Sequence, residues 1–158
     1  MDFLDDFIWV VRAAGERTTA ACLKVIGDIA KPEHIFLVEE APFSAALYAC
    51  FEIAEKTSAK WMICIDADVL IYKKGILELL KVTSSVDERV CSVQGLTIDQ
   101  FIPIYRNPGN GIYRCSMAGE FKSAVSLDEK SIRPETAVME QVLKKSYKKY
   151  LTNIIVGI

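Results

Sequence analysis

Asp66 and Asp68 stand one residue apart at the end of the apolar run Trp61-Met62-Ile63-Cys64-Ile65, with Val69-Leu70-Ile71 following. The run reads as a buried strand. Residues two apart in an extended chain point to the same side, so the two acids can face one target while Ala67 turns away. Carboxylates beside so apolar a stretch need a metal, a cation or hydrogen-bond donors to compensate them. Hard divalent cations that carry a diphosphate in their shell are commonly held by one or two carboxylates. A strand-terminal Asp-x-Asp therefore suits a nucleotide diphosphate held through a metal. The same three residues would also make a solvated turn after a strand, so the rest of the chain has to decide.

The elements that must position these acids alternate strand and helix. Phe7-Ile8-Trp9-Val10-Val11 is a β-favouring run, and Thr18 and Thr19 can cap a helix bearing Cys22, Val25, Ile26 and Ile29. Ile35-Phe36-Leu37-Val38 gives a second strand ending at Glu39-Glu40, after which Ser44 opens a helix with Leu47, Cys50, Phe51 and Ala54 on one face. The Asp-x-Asp strand is third, and Ile76, Leu77, Leu79 and Leu80 mark the helix behind it. Three such units in a row predict an α/β domain, a mostly parallel sheet covered by helices on both faces. From Val90 the pattern becomes mixed. Strands are expected at 90–95 and 102–106, then a turn at Asn107-Pro108-Gly109-Asn110-Gly111 with 111–115 returning as a hairpin partner. A helix is expected from Pro134 to about Lys149, and a last strand over 153–158.

Composition narrows the function classes. The chain has 158 residues, 51% of them apolar, enough for one domain with a real core. Its net charge of -2, with acids and bases intermixed, gives no nucleic-acid footprint. No apolar run approaches a transmembrane span of about 20 residues. The acidic start Met1-Asp2-Phe3-Leu4-Asp5-Asp6 is unlike a secretory signal. Five scattered cysteines without a Cys-x-x-Cys read as buried reduced thiols in a cytoplasmic protein. The single histidine, His34, lies in a charged connection and gives no cysteine its catalytic partner. Lys144, Lys145, Lys148 and Lys149 read as a solvated helix end; a polyanionic acceptor or an acidic lipid surface, making the protein peripheral to a membrane, is the alternative.

In parallel α/β sheets ligands bind at the carboxyl ends of the strands, and here those ends are Arg12 to Arg17, Glu39-Glu40 and Asp66 to Asp68. Over the stretches Val10-Val11-Arg12-Ala13-Ala14-Gly15-Glu16-Arg17-Thr18, Phe36-Leu37-Val38-Glu39-Glu40 and Ile63-Cys64-Ile65-Asp66-Ala67-Asp68-Val69 the sequence resembles the family 2 glycosyltransferases of GT-A fold, within the nucleotide-diphospho-sugar transferase superfamily. A looser similarity extends to Gly109-Asn110-Gly111-Ile112-Tyr113-Arg114 and Arg133-Pro134-Glu135-Thr136. The resemblance implies a GT-A, Rossmann-like sheet, a nucleotide-diphospho-sugar donor, and Mn2+ or Mg2+. It places Arg12, Glu16 and Arg17 along the donor pocket, and Glu39 or Glu40 near the base or ribose. Asp66 falls on the ribose or a metal-bound water and Asp68 on the metal itself. Glu135, at the start of a helix, falls where such enzymes carry the base that deprotonates the acceptor hydroxyl in an inverting transfer. Glu120 is the next candidate for that base. The acceptor stays open among saccharide, lipid and protein.

The sequence also departs from the family. Gly15 stands where Asn is frequent, no Gln-x-x-Arg-Trp acceptor motif is present, and the metal-binding histidine that many relatives carry after a strand like 153–158 is missing. These departures imply a single domain over 1–158, truncated at its C-terminus, with apolar surface that invites self-association. The competing readings are a degenerate, non-catalytic GT-A domain, a nucleotidyltransferase, and an Asp-x-Asp phosphatase of haloacid dehalogenase type. The phosphatase motif normally sits on the first strand with Thr or Val where this chain has Leu70.

Overall fold

A computed structural model of the chain describes residues 3–102, 104–107, 109–127 and 133–158. Seven strands and five helices follow in the order β1 (Phe7–Arg12), α1 (Thr19–Gly27), β2 (Ile35–Val38), α2 (Phe43–Glu55), β3 (Trp61–Asp66), α3 (Lys73–Ser84), β4 (Val90–Ile98), β5 (Tyr105–Arg106), β6 (Asn110–Arg114), α4 (Ala118–Ala124), α5 (Pro134–Leu143) and β7 (Lys148–Gly157). The strands form one sheet in the order β2-β1-β3-β6-β4-β5, with β7 beside β4. Strands β2, β1 and β3 are parallel, as is the β4–β7 pair, whereas β6 runs antiparallel to both β3 and β4. The expected α/β architecture with a mixed second half is what the chain adopts. Among the described residues no helix is long and apolar enough to cross a membrane.

Alternation along the central strands explains their unbroken apolar sequence. Ile8 and Val10 of β1 and Met62 and Cys64 of β3 face a core shared with α2, α4 and α5. Phe7, Trp9 and Val11, with Trp61, Ile63 and Ile65, face a second core against α1 and α3. A strand buried on both faces can carry no polar side, and these carry none until they end. Arg12 and Asp66 are those ends. They are in register on neighbouring parallel strands. The next step of the alternation brings both side chains out on the α2/α5 side.

Several local expectations are corrected. Segment 111–115 is no hairpin partner of 102–106: β6 inserts between β3 and β4, while the two-residue β5 pairs with the end of β4. The helix from Pro134 stops at Leu143, and Lys148 and Lys149 lie on β7. Ser146, at φ 68°, takes the left-handed conformation that no helix continues through. The four lysines therefore form no single helix end; Lys145 pairs with Glu120 on α4. Thr18 precedes α1 without capping it. Its hydroxyl instead donates to the Ala67 carbonyl at 2.6 Å, tying the first loop to the Asp-x-Asp turn.

Candidate active site

The Asp-x-Asp pair is built by a turn. β3 ends at Asp66, and the Val69 amide donates back to the Asp66 carbonyl at 3.0 Å. Asp66 and Asp68 consequently owe their proximity to this turn, where strand alternation would have supplied the same result by another route. Both line one crevice of about 380 Å3, together with Thr97, Asp99, Arg106 and Gly109. Gly109 holds the turn from outside. Its carbonyl accepts from the Asp66 amide at 3.0 Å, its φ of 82° favours glycine, and a Cβ there would lie 2.7 Å from the Val69 side chain. Asn107 and Asn110 are held in turn by Gln94 of β4, whose Nε2 donates to their carbonyls at 2.5 and 2.7 Å.

Arg12 organises the acids. It is only 4% exposed, and Asp66 and Glu135 share it. Its Nε and Nη2 reach Asp66 Oδ1 at 2.8 and 2.7 Å, and its Nη1 donates to Glu135 Oε1 at 2.7 Å. The Phe43 ring lies 4.8 Å from the guanidinium carbon, a cation–π contact that helps keep a buried cation in place. Burial alone would lower the guanidinium's pKa, but Glu135 and Asp66 outweigh it and hold the pKa well above the usual arginine value. Asp66 is raised above the ordinary carboxylate range: burial is the main cause, Arg12 opposes it, and Glu135 and Asp68 reinforce it.

Glu135 occupies the first turn of α5, with Pro134 before it at the position where a missing amide proton costs nothing. The Tyr113 hydroxyl donates to the same Oε1 at 3.1 Å. Burial, and then Glu135 itself, push the phenol pKa well above its usual value, so Tyr113 stays protonated and remains the donor. With two donors on Oε1, Oε2 is the carboxylate oxygen left for a proton or ligand. Glu135 opens onto a second crevice of about 990 Å3 that also reaches Phe43, Asp66, Gln94 and Tyr113. Lys149 also lines this crevice. Asp66, Arg106 and Gly109 line both crevices.

The remaining candidates lie further out. Glu16 accepts from the Ala14 amide at 2.6 Å and so closes the first loop. Arg17, Glu39 and Glu40 are exposed beside the strand ends, and none of them lines either crevice. Glu120 is occupied by Lys145 and lies outside both crevices. Among the described residues no group of three or more His, Cys, Asp or Glu surrounds a common metal position. Asp66 and Asp68 nevertheless offer the two hard oxygen ligands that suffice when phosphate oxygens complete the shell. Tyr113, Gln94 and Gly109 were not legible as site residues, because each acts through a contact with a residue elsewhere in the chain.

No family model and no curated protein matches the chain. Solved structures do. The 4-diphosphocytidyl-2C-methyl-D-erythritol synthase of Anaerococcus prevotii matches 99% of this chain and 90% of its own, with TM-score 0.66 and 8% identity. A mannosyltransferase of Pyrobaculum calidifontis, in complex with GDP-Man and Mn2+, matches 96% of this chain and 56% of its own at TM-score 0.65 and 10% identity. A glycosyltransferase involved in glycosylation of the major capsid of PBCV-1 matches 93% of this chain and 81% of its own at TM-score 0.58 and 12% identity. At these identities the likeness shows the fold. It is an α/β fold that solved glycosyltransferases and nucleotidyltransferases also adopt.

Proposed function

We propose that the chain is a glycosyltransferase domain that moves a sugar from a nucleotide-diphosphate donor to an acceptor hydroxyl. One observation carries the reading: the buried Arg12 at the end of β1 binds both Asp66, the first acid of the Asp-x-Asp pair at the end of β3, and Glu135 at the start of α5, three residues distant in sequence. Asp68, with Asp66, would hold Mn2+ or Mg2+; the metal would supply charge neutralisation at the departing diphosphate. Arg12 keeps Asp66 oriented, and Glu16 shapes the loop above it. Arg17 and one of Glu39 and Glu40 stand at neighbouring strand ends, where the nucleoside would pass. Glu135 would take the acceptor proton on Oε2, giving an inverting transfer. The mannosyltransferase bound to GDP-Man and Mn2+ supports this choice of donor and metal. Nucleotidyltransferases share the fold, but the first loop, Ala13-Ala14-Gly15-Glu16, is not the glycine-rich one expected of them.

Glu135→Gln tests the assignment. A base that acts on the acceptor contributes to turnover and little to donor affinity, so kcat should fall by roughly 100-fold or more with donor Kd nearly unchanged. Turnover equal to the parent would place the base elsewhere.

A further inference from the structure

Helix α2 begins with donors that the protein leaves unused. The amides of Ala45 and Ala46 both donate to the Pro42 carbonyl, at 2.9 and 3.2 Å, and no side chain caps the helix. The amides of Phe43 and Ser44 have no acceptor among the described residues. Ser44 adds an independent sign. It is only 4% exposed and lines the larger crevice, yet its hydroxyl has no hydrogen-bond partner among the described residues. A polar group so enclosed is normally satisfied, and an unsatisfied one marks a place for a ligand atom. Three donors thus stand together at the positive end of a 13-residue helix. Two cations that line the same crevice, Arg133 and Lys149, have no carboxylate partner among the described residues. Of the acids that line it, Asp66 and Glu135 are committed to Arg12, which leaves Glu140.

We propose that the start of α2 binds a phosphate group, carried by a small molecule in the larger crevice, through the Phe43 and Ser44 amides and the Ser44 hydroxyl. Three donors at a helix start suit the several oxygens of a phosphate better than the two of a carboxylate. This position is separate from the Asp-x-Asp pair, since Asp68 lines only the smaller crevice and Ser44 only the larger. A diphosphate held at Asp68 therefore leaves the start of α2 open. Arg12 links that start to Glu135: its guanidinium lies against the Phe43 ring and donates to Glu135 Oε1. A hydroxyl at Glu135 Oε2 and a phosphate at Ser44 can then belong to one molecule. The acceptor would be a phosphorylated alcohol such as a sugar phosphate; that consequence rests on the proposed function, whereas the phosphate binding does not.

Titration of inorganic phosphate into the full chain, followed by NMR of the backbone amides, tests it directly. The Phe43 and Ser44 signals should shift saturably, and do so with glucose 6-phosphate but not with glucose. Ser44→Ala should weaken phosphate binding about tenfold or more, the loss of one hydrogen bond to a charged group. Its melting temperature should be unchanged, because the hydroxyl bonds nothing in the protein. Ser44→Asp, which sets a carboxylate at the helix start, should abolish the response while the helix keeps its stability. Glucose 6-phosphate should still shift both amides when UDP and Mg2+ are present. The idea is overturned if the two amides do not respond, if chloride at equal ionic strength moves them as far, or if Ser44→Ala binds as the parent does. It is also overturned if UDP with Mg2+ displaces the phosphate, because the position would then belong to the donor. The phosphate titration involves neither donor nor turnover, so its failure and that of the proposed function are read separately.

Discussion

Arg12 is the residue on which the two carboxylates of the site depend. Removing a buried partner leaves the other charges uncompensated, at about 3–5 kcal/mol for fully buried groups. Asp66 and Glu135 are 30% and 29% exposed, so water would screen part of that loss and Arg12→Gln should cost on the order of 2–3 kcal/mol. Chemical denaturation measures it, and a loss below about 0.5 kcal/mol, the usual range for surface substitutions, would show that the arginine is a bystander. Asp66 adds a pH signature. Its folded pKa is raised, so the folded state keeps the proton to higher pH than the unfolded chain does. Stability from this group is therefore greatest below the ordinary aspartate range and falls as pH rises through the raised value. Asp66→Asn should flatten that fall in denaturation midpoints taken across the acid range; an identical slope would contradict the assignment. Arg12, Asp66, Asp68 and Glu135 were readable because their charges stand at the ends of apolar or helical patterns. Tyr113 was not, since its role comes from a carboxylate 22 residues away.

Among the elements, the first three strands and the helices between them follow from local pattern, since each is a short apolar run bounded by turn residues or charges. The second half resists such reading. β6 sits between β3 and β4 through pairings that no local signal specifies. Lys148 and Lys149 continue a helical spacing, yet they join a strand whose partner, β4, lies more than 50 residues earlier. Packing of α3 on β7 gives a direct test. A Cβ added to Gly75 would lie 1.8 Å from the Ile155 carbonyl oxygen. Gly75→Ala forces helix and strand apart and should cost about 1–3 kcal/mol despite alanine's better helix propensity. Thermal unfolding should show the melting temperature reduced. A variant as stable as the parent would mean that α3 and β7 do not pack this closely.

Across the whole molecule, the site lies where an α/β sheet collects its strand ends, between a core shared with α2, α4 and α5 and one shared with α1 and α3. Rigid cores on both sides hold Arg12 and Asp66 in register, leaving the connections around them to meet ligands. The central claim is that Asp66 and Asp68 bind a nucleoside diphosphate through a divalent metal. Two carboxylates alone should hold the ion weakly until phosphate oxygens complete its shell. Calorimetry of UDP and GDP binding, with and without Mn2+, on the parent and on Asp68→Asn, tests this most directly. The account predicts tight binding of at least one nucleotide to the parent only with Mn2+, weakened about tenfold or more in the variant. Binding of equal strength without the metal, or in Asp68→Asn, would contradict it.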